Sequence, residues 1–146
     1  MMGYSPKSLE AITNNRQPLL TALAALHVSE VVIRYDGGGD SGDVSEVSVL
    51  PESLDVAEQL TTTQVNYYYL LGEYREGQYH YQLESHLVSL DDALRDFALT
   101  WVDAHHGGWE NNEGGAGVVT IKVTEPNFLL EHVEYYTESV SYDHSL

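Results

Sequence analysis

The chain contains no cysteine among its 146 residues, which excludes a disulfide framework, a zinc–thiolate site and a thiol nucleophile. It also lacks a long apolar run. The longest such run, Leu19 to Val28, is interrupted by Thr21 and His27 and is far shorter than the roughly 20 residues that cross a bilayer. Met1 to Leu9 contains no apolar run after basic residues, so no signal peptide is expected. We therefore expect a cytoplasmic protein with no membrane partner.

Basic residues are scarce, with 6 Lys plus Arg against 23 Asp plus Glu and a formal net charge of -17. A surface this anionic repels phosphate, which disfavours direct nucleic-acid binding unless a cation intervenes and favours a basic protein partner. Only two lysines, Lys7 and Lys122, are present, and salt adaptation is an alternative explanation of the acidity. Because 42% of the residues are apolar and 10% are aromatic, the chain has enough apolar material for one folded domain over residues 1–146.

The first third of the chain predicts a helix followed by two strands. Ser5 and Pro6 suit the start of a helix, and Pro18 predicts either a kink or a break between two short helices. The segments Glu30 to Asp36 and Asp43 to Leu50 are rich in β-branched residues and predict strands. A glycine-rich loop, Gly37 to Gly42, would join them.

The middle of the chain predicts a tyrosine-rich hairpin. Pro51 to Leu60 carries no clear signal, whereas Thr61 to Tyr74 and Gln78 to Val88 are two β-rich runs around a glycine-containing turn. Tyr79, Tyr81, Leu83 and Ser85 would share one face of the second strand. A helix over Val65 to Tyr74 is the competing interpretation.

The last third predicts a helix and two strands. Ser89 is a candidate N-cap with Asp92 three residues later, and Gly107-Gly108 would end that helix. Val118 to Val123 and Phe128 to Tyr136 then predict two strands. The order of elements indicates an α+β fold, an antiparallel sheet of about four to six strands with one or two helices packed on one face.

The first candidate site is the glycine-rich loop, where Asp36, Asp40 and Asp43 lie within eight residues beside Ser41. Carboxylates on a glycine-freed backbone could converge on Ca²⁺ or Mg²⁺, which prefer oxygen ligands. Turns also enrich Asp and Gly for conformational reasons alone, so a simple hairpin turn is the alternative.

The second candidate site is the loop after the last helix. His105 would lie on the apolar stripe of the helix as a buried imidazole, and His106 would face outward, where it could reach Asp36 or Asp40 and complete a His–carboxylate centre. A tryptophan in such a loop more often plugs the core edge than forms an exposed contact. The candidate binding residues of this loop are His106, Trp109, Glu110, Asn111 and Asn112.

Two further features bear on partners. Tyrosines of the hairpin are expected to be exposed beside acids such as Glu73, Glu76 and Glu84, a combination typical of protein-contact surfaces. On the last strand Glu134 falls on the same face as His132, so at least one acid is expected to line a pocket or a sheet edge.

The two loops carry a resemblance when they are taken together. The segments Tyr35-Asp36-Gly37, Gly39-Asp40-Ser41-Gly42 and His106-Gly107-Gly108-Trp109-Glu110-Asn111-Asn112, followed by a tyrosine-rich acidic strand, resemble a bacterial family of unknown function, DUF6878-like, associated with plasmids and other mobile elements. The resemblance covers about Leu19 to the C-terminus apart from Pro51 to Val88. It implies that the two loops are adjacent parts of one recurring design, and it implies no known activity.

Two functions are carried forward from the sequence. The first is a non-enzymatic protein-interaction module of bacterial, phage or mobile-element origin, whose carboxylates could mimic nucleic acid and inhibit a basic target. The alternative is a metal-binding domain for a divalent cation, with hydrolysis as a candidate activity. Its ligands would be Asp36, Asp40 and His106, and Asp43 and Glu110 or Glu113 would complete the site. The partner and the oligomeric state are not predicted.

Overall fold

The computed structural model describes residues 6–39, 41–111, 113–135 and 141–145. The predicted α+β fold is confirmed, and this part of the chain forms three helices and six antiparallel strands in two sheets. The elements are α1 Pro6–Ala25, β1 Glu30–Gly38, β2 Ser41–Leu50, α2 Leu54–Thr62, β3 Gln64–Arg75, β4 Gln78–Ser89, α3 Leu90–His105, β5 Gly115–Lys122 and β6 Asn127–Glu134.

The larger sheet has the strand order β2-β1-β5-β6 and packs one face against the helices. Alternate residues of its central strands, such as Val31, Ile33, Val119 and Ile121, are fully buried, because successive side chains of a strand point to opposite faces. α3 contacts β1 and β2, and α1 packs on α3 and on β3. The inner face of this sheet therefore carries the core, and its outer face is open.

The start of α3 agrees with the sequence prediction, and one prediction for α1 is corrected at Pro18. The Ser89 hydroxyl accepts a hydrogen bond from the backbone N–H of Asp92 at 3.0 Å, which confirms the predicted cap of α3. α1 runs continuously through Pro18, so the alternative of two separate helices is wrong; the Ser5 cap lies outside the described residues. Within the described ranges, no helix is both long enough and apolar enough to span a bilayer.

The tyrosine-rich hairpin forms a second sheet of two strands, β3 and β4. The helix alternative for Val65 to Tyr74 is therefore wrong. Glu76 and Gly77 have φ values of 52° and 81°, and positive φ at both turn residues is what a type I′ hairpin requires. The unassigned segment before it contains α2, whose N-cap Ser53 accepts a hydrogen bond from the Val56 N–H at 3.3 Å.

The glycine-rich loop between β1 and β2 is shorter than the sequence indicates. The strands continue to Gly38 and restart at Ser41, with Gly37 paired to Gly42. The sequence predicted an end of β1 at Asp36 and a start of β2 at Asp43, because glycine is a poor strand former. In the structure the backbone pairing continues through the glycines. The last strand ends at Glu134. The predicted extension is therefore wrong at Tyr135, which lies outside the strand, and Tyr136 is not among the described residues.

Candidate functional site

The two glycine-containing loops meet at Trp109, which is 3% exposed. A Cβ atom added at Gly42 would overlap the six-membered ring of the indole, and one added at Gly37 would lie 3.1 Å from the indole Cη2. Gly114 in the second loop lies against the Gly37 carbonyl. The loops are therefore neighbours, as the family resemblance implies, and Trp109 plugs the core edge as expected from the sequence.

A row of three paired residues crosses the larger sheet beside these loops. Tyr35 in β1 pairs with Gly117 in β5, which pairs with His132 in β6. Gly117 has no side chain, so the Tyr35 ring extends over it, and the Tyr35 hydroxyl lies 2.6 Å from Nδ1 of His132. Trp109 meets the rings of both residues edge-on, at centroid distances of 5.1 and 6.1 Å.

His132 belongs to a cluster with His106 and Glu134 at the junction of α3 and β6. Nε2 of His132 lies 3.3 Å from Oε2 of Glu134, and Nδ1 of His106 lies 3.5 Å from the same oxygen. The two imidazoles stack with their centroids 4.2 Å apart. One donor or acceptor atom from each of the three residues lies within 4.8 Å of the others, so the cluster can share a proton or a cation.

The electrostatics of this cluster are consistent with a neutral His132. Burial, followed by the nearby His106, lowers the pKa of the His132 imidazole, although Glu134 opposes this shift. Burial, followed by the Glu134 charge, raises the pKa of the Tyr35 hydroxyl. A neutral His132 with its proton on Nε2 donates to Glu134 and accepts from the Tyr35 hydroxyl, so both ring nitrogens are satisfied.

Trp109 is held by α3. Its indole N–H donates to Oδ1 of Asp103 at 3.0 Å. Burial, followed by the Glu110 charge, raises the pKa of Asp103, whereas the indole hydrogen bond lowers it. Glu110 thus interacts electrostatically with Asp103 of α3.

Asp36 lies on the other side of the sheet, away from His132. Asp36 and Asp43 are exposed cross-strand partners, and Asp36 lines a groove of about 430 Å³ on the outer face with Glu131 and Tyr135. His106 stacks on His132 at the inner face. The expected centre joining Asp36 to His106 therefore does not form, because consecutive residues Tyr35 and Asp36 point to opposite faces.

The remaining candidates of the two loops have separate positions. Asp40 and Asn112 lie outside the described residues. Ser41 is exposed and pairs with Gly38, and Asn111 is exposed in a turn where its N–H bonds the Gly108 carbonyl at 3.0 Å. His105, expected to be buried, is exposed, and His106 is the half-buried member of the pair, since the helix ends before His106 and turns it inward.

The β3–β4 hairpin presents a different kind of surface. Pairing places Tyr74 opposite Tyr79 and Gly72 opposite Tyr81, and the Tyr74 and Tyr79 rings meet edge-on at 5.3 Å. We call the side of the hairpin that holds them the tyrosine face. By strand alternation, its described residues are Gln64, Asn66, Tyr68, Leu70, Gly72, Tyr74, Tyr79, Tyr81, Leu83, Ser85, Leu87 and Ser89.

The tyrosine face carries no carboxylate. Glu73 and Glu84 fall on the opposite face of the same strands, paired with His80 and Tyr69, and Glu76 lies in the turn. The exposed tyrosines Tyr74, Tyr79 and Tyr81 are thus separated from these acids, whereas Tyr69 shares a face with Glu84 and pairs with it. Among the large aromatic and aliphatic residues of this neutral face, Tyr74, Tyr79, Tyr81 and Leu87 are at least half exposed.

Sequence reasoning missed Tyr35 and Asp103 as members of the site. It placed Glu134 and His132 on one face of the last strand, which β6 confirms, but period-2 alternation cannot say which helix end meets that face. The strongest unused signal is Gly117, because a glycine in a strand often marks a close approach by another group.

These features define an α+β domain in which two glycine-containing loops enclose a tryptophan beside a histidine–carboxylate cluster. The chain belongs to a family of unknown function, DUF6878, whose sequence profile matches residues 11–146. No curated protein and no solved structure matches the chain.

Proposed function

We propose that this protein is a non-enzymatic interaction module that binds a protein partner through the tyrosine face. The partner presents an apolar strip bordered by lysine or arginine. The observation that carries the proposal is the exposed aromatic surface of the hairpin, where Tyr74, Tyr79 and Tyr81 are 64%, 63% and 50% exposed.

The hairpin has the properties of a contact surface. A two-stranded sheet is marginally stable by itself, and residues 71–82 are all exposed, so this outer part receives little support from the core. Tyrosine contributes a large rigid area at low entropic cost and is enriched where binding energy concentrates. A partner strip packed on these rings would bury them and stabilise the hairpin.

The charge of the chain selects the partner. Two copies at a net charge of -17 each repel one another, whereas a cationic protein is attracted over about a Debye length. Mimicry of nucleic acid would need carboxylates along the contact surface, and the tyrosine face has none. We therefore propose that the aromatic rings make the specific contacts with the partner. The acidic residues elsewhere in the chain would raise the rate at which a basic partner associates.

The experiment compares two double variants of the same hairpin. Tyr74→Ser/Tyr79→Ser removes one cross-strand pair from the tyrosine face, and Glu73→Gln/His80→Gln alters the adjacent pair on the opposite face. Wild type and both variants serve as baits in quantitative affinity capture from a bacterial lysate. Each candidate is then purified and titrated calorimetrically at low and moderate salt.

The proposal requires one basic protein that wild type and the Glu73/His80 variant bind when purified, and that the tyrosine variant binds at least about tenfold more weakly, a loss of about 1.4 kcal/mol. Circular dichroism and melting curves establish that both variants fold. Equal binding by the tyrosine variant would overturn the proposal. A dimer of the wild type in sedimentation equilibrium that the tyrosine variant abolishes would also overturn it, because a second copy would then be the occupant.

A further inference from the structure

We infer that His106, His132 and Glu134 form a binding site for a divalent transition-type metal ion, with Zn²⁺ as its representative. This site uses none of the acids of the first loop. It is also independent of the tyrosine face, because its residues lie at the C-cap of α3 and on β6 rather than on the hairpin.

The separations between donor atoms fit a metal ion. Ligands about 2.0–2.2 Å from a tetrahedral zinc ion are about 3.3–3.6 Å apart. The two separations from Oε2 of Glu134 are 3.3 Å to Nε2 of His132 and 3.5 Å to Nδ1 of His106. An ion bridging these three atoms would therefore need little movement of Glu134 relative to either ring.

His132 has the support that a metal-bound histidine requires. A ligating imidazole uses one ring nitrogen for the metal and donates from the other to a fixed acceptor, which sets its orientation. Here Nε2 faces Glu134, and Nδ1 lies 2.6 Å from the Tyr35 hydroxyl. Without an ion, Nδ1 accepts from this hydroxyl; once an ion occupies Nε2, the imidazole carries its proton on Nδ1 and donates it to the Tyr35 oxygen. The His132 side chain is 5% exposed, and the Trp109 ring meets it edge-on, so its position is fixed before any ion arrives.

The other two ligands have room to adjust. His106 lies at the C-cap of α3, and its side chain is 38% exposed, while that of Glu134 is 54% exposed. The two imidazole planes differ by 22°, so the His106 ring must turn to direct its lone pair at an ion held by His132. A half-exposed ring at a helix end can make that turn at low cost.

The donor set selects the class of ion. Two imidazoles and one carboxylate suit zinc and neighbouring first-row ions, whereas Ca²⁺ and Mg²⁺ demand oxygen ligands. Three protein ligands leave a fourth position, which the exposed side of Glu134 and His106 opens to water. In zinc proteins three protein ligands plus water are typical of reactive rather than purely structural sites.

The test is titration of the metal-free protein, prepared with a chelator, with ZnCl₂ by calorimetry in a weakly coordinating buffer. The variants are Glu134→Gln and His106→Gln. Glu131→Gln on the opposite face of β6 and His105→Gln beside His106 are matched controls. Co²⁺ titrated in parallel reports coordination through its visible absorption, and melting curves with chelator show whether each variant folds.

We expect one Zn²⁺ per chain with a Kd below about 10 µM, corresponding to about 7 kcal/mol. Each ligand variant should weaken zinc binding at least about tenfold, because even residues that only support metal ligands commonly contribute that much. Both control variants should bind zinc as the wild type does. Glu134→Gln should also remove the cobalt spectrum. Wild type that binds no Zn²⁺ in this range, or ligand and control variants that weaken binding equally, would overturn the inference. Asp36→Asn is a further control. A large loss of zinc affinity in this variant would place the ion on the outer face of the sheet and would overturn the inference.

Discussion

The Tyr35 hydroxyl reaches Nδ1 of His132, 97 residues later in the chain, by passing over Gly117. Strand pairing sets Tyr35, Gly117 and His132 in one row across β1, β5 and β6. The middle position of that row can hold no side chain, because a Cβ atom there would overlap the phenol oxygen and carbon. The contact between the two outer residues therefore depends on the middle one.

Gly117→Ala tests this dependence. The added methyl group displaces the Tyr35 ring, and overpacking of a filled interior typically costs about 1–3 kcal/mol. Urea unfolding followed by fluorescence gives the free energy of unfolding. Gly38→Ala is the matched control, since the nearest atom to its added Cβ would be the Glu113 carbonyl oxygen at 4.0 Å, and it should change stability by no more than about 0.5 kcal/mol. Equal effects of the two variants would contradict the proposed packing.

Asn15→Ala should loosen the contact between α1 and the hairpin. The Asn15 side chain is buried and satisfies both backbone groups of Tyr68, donating to the carbonyl at 2.9 Å and accepting from the N–H at 2.8 Å. Alanine leaves those groups without their partner, at a cost of about 1–3 kcal/mol. Asn14→Ala, at the exposed preceding position, should have little effect. Hydrogen exchange of the Tyr68 amide should accelerate only in the Asn15 variant; unchanged exchange would contradict the assignment.

Much of the fold could be predicted from local pattern. The cap at Ser89 and the apolar stripe after it define α3, and the β-branched runs define β1 and β2, because burial on one face imposes a period that the sequence records. Boundaries at glycines were less accurate. Gly37 and Gly42 read as loop by propensity, whereas in the structure they are paired strand residues that leave space for Trp109.

The candidate site was harder to predict, for a topological reason. Sequence alternation correctly placed His132 and Glu134 on one face of β6, and His106 was singled out from its loop. Their meeting depends on β5 inserting between β1 and β6 and on α3 ending at that corner. Neither follows from local periodicity, so Asp36 was an equally reasonable partner for His106 until the faces of β1 were known.

Tyr35→Phe tests the role of the Tyr35 hydroxyl in stability and, separately, in zinc binding. Phenylalanine keeps the ring over Gly117 but removes the partner of His132 Nδ1, which should lower the free energy of unfolding by about 1–3 kcal/mol. If Zn²⁺ binds as inferred, the same change should raise its Kd about tenfold, because the acceptor that orients His132 is lost. Tyr142→Phe, at a 78% exposed position, is the control for both measurements. Unaltered zinc affinity in a folded Tyr35 variant would show that the hydroxyl does not orient a ligand.

Asp103→Asn should stabilise the protein near neutral pH. Burial and Glu110 raise the pKa of Asp103 in the folded state, so folding favours the protonated carboxyl. The protonated Asp103 carboxyl stabilises the folded protein fully below the unfolded pKa of about 3.9. This stabilisation is lost as pH rises through the higher pKa of the folded state. Asparagine keeps an oxygen for the Trp109 N–H without carrying charge. Melting temperatures of variant and wild type should therefore differ most near neutral pH and converge as the pH falls toward about 4, while Glu52→Gln at an exposed site shows no such trend. A variant less stable than wild type at neutral pH would mean that the hydrogen bond from Trp109 to the charged carboxylate outweighs its partial desolvation and its repulsion by Glu110.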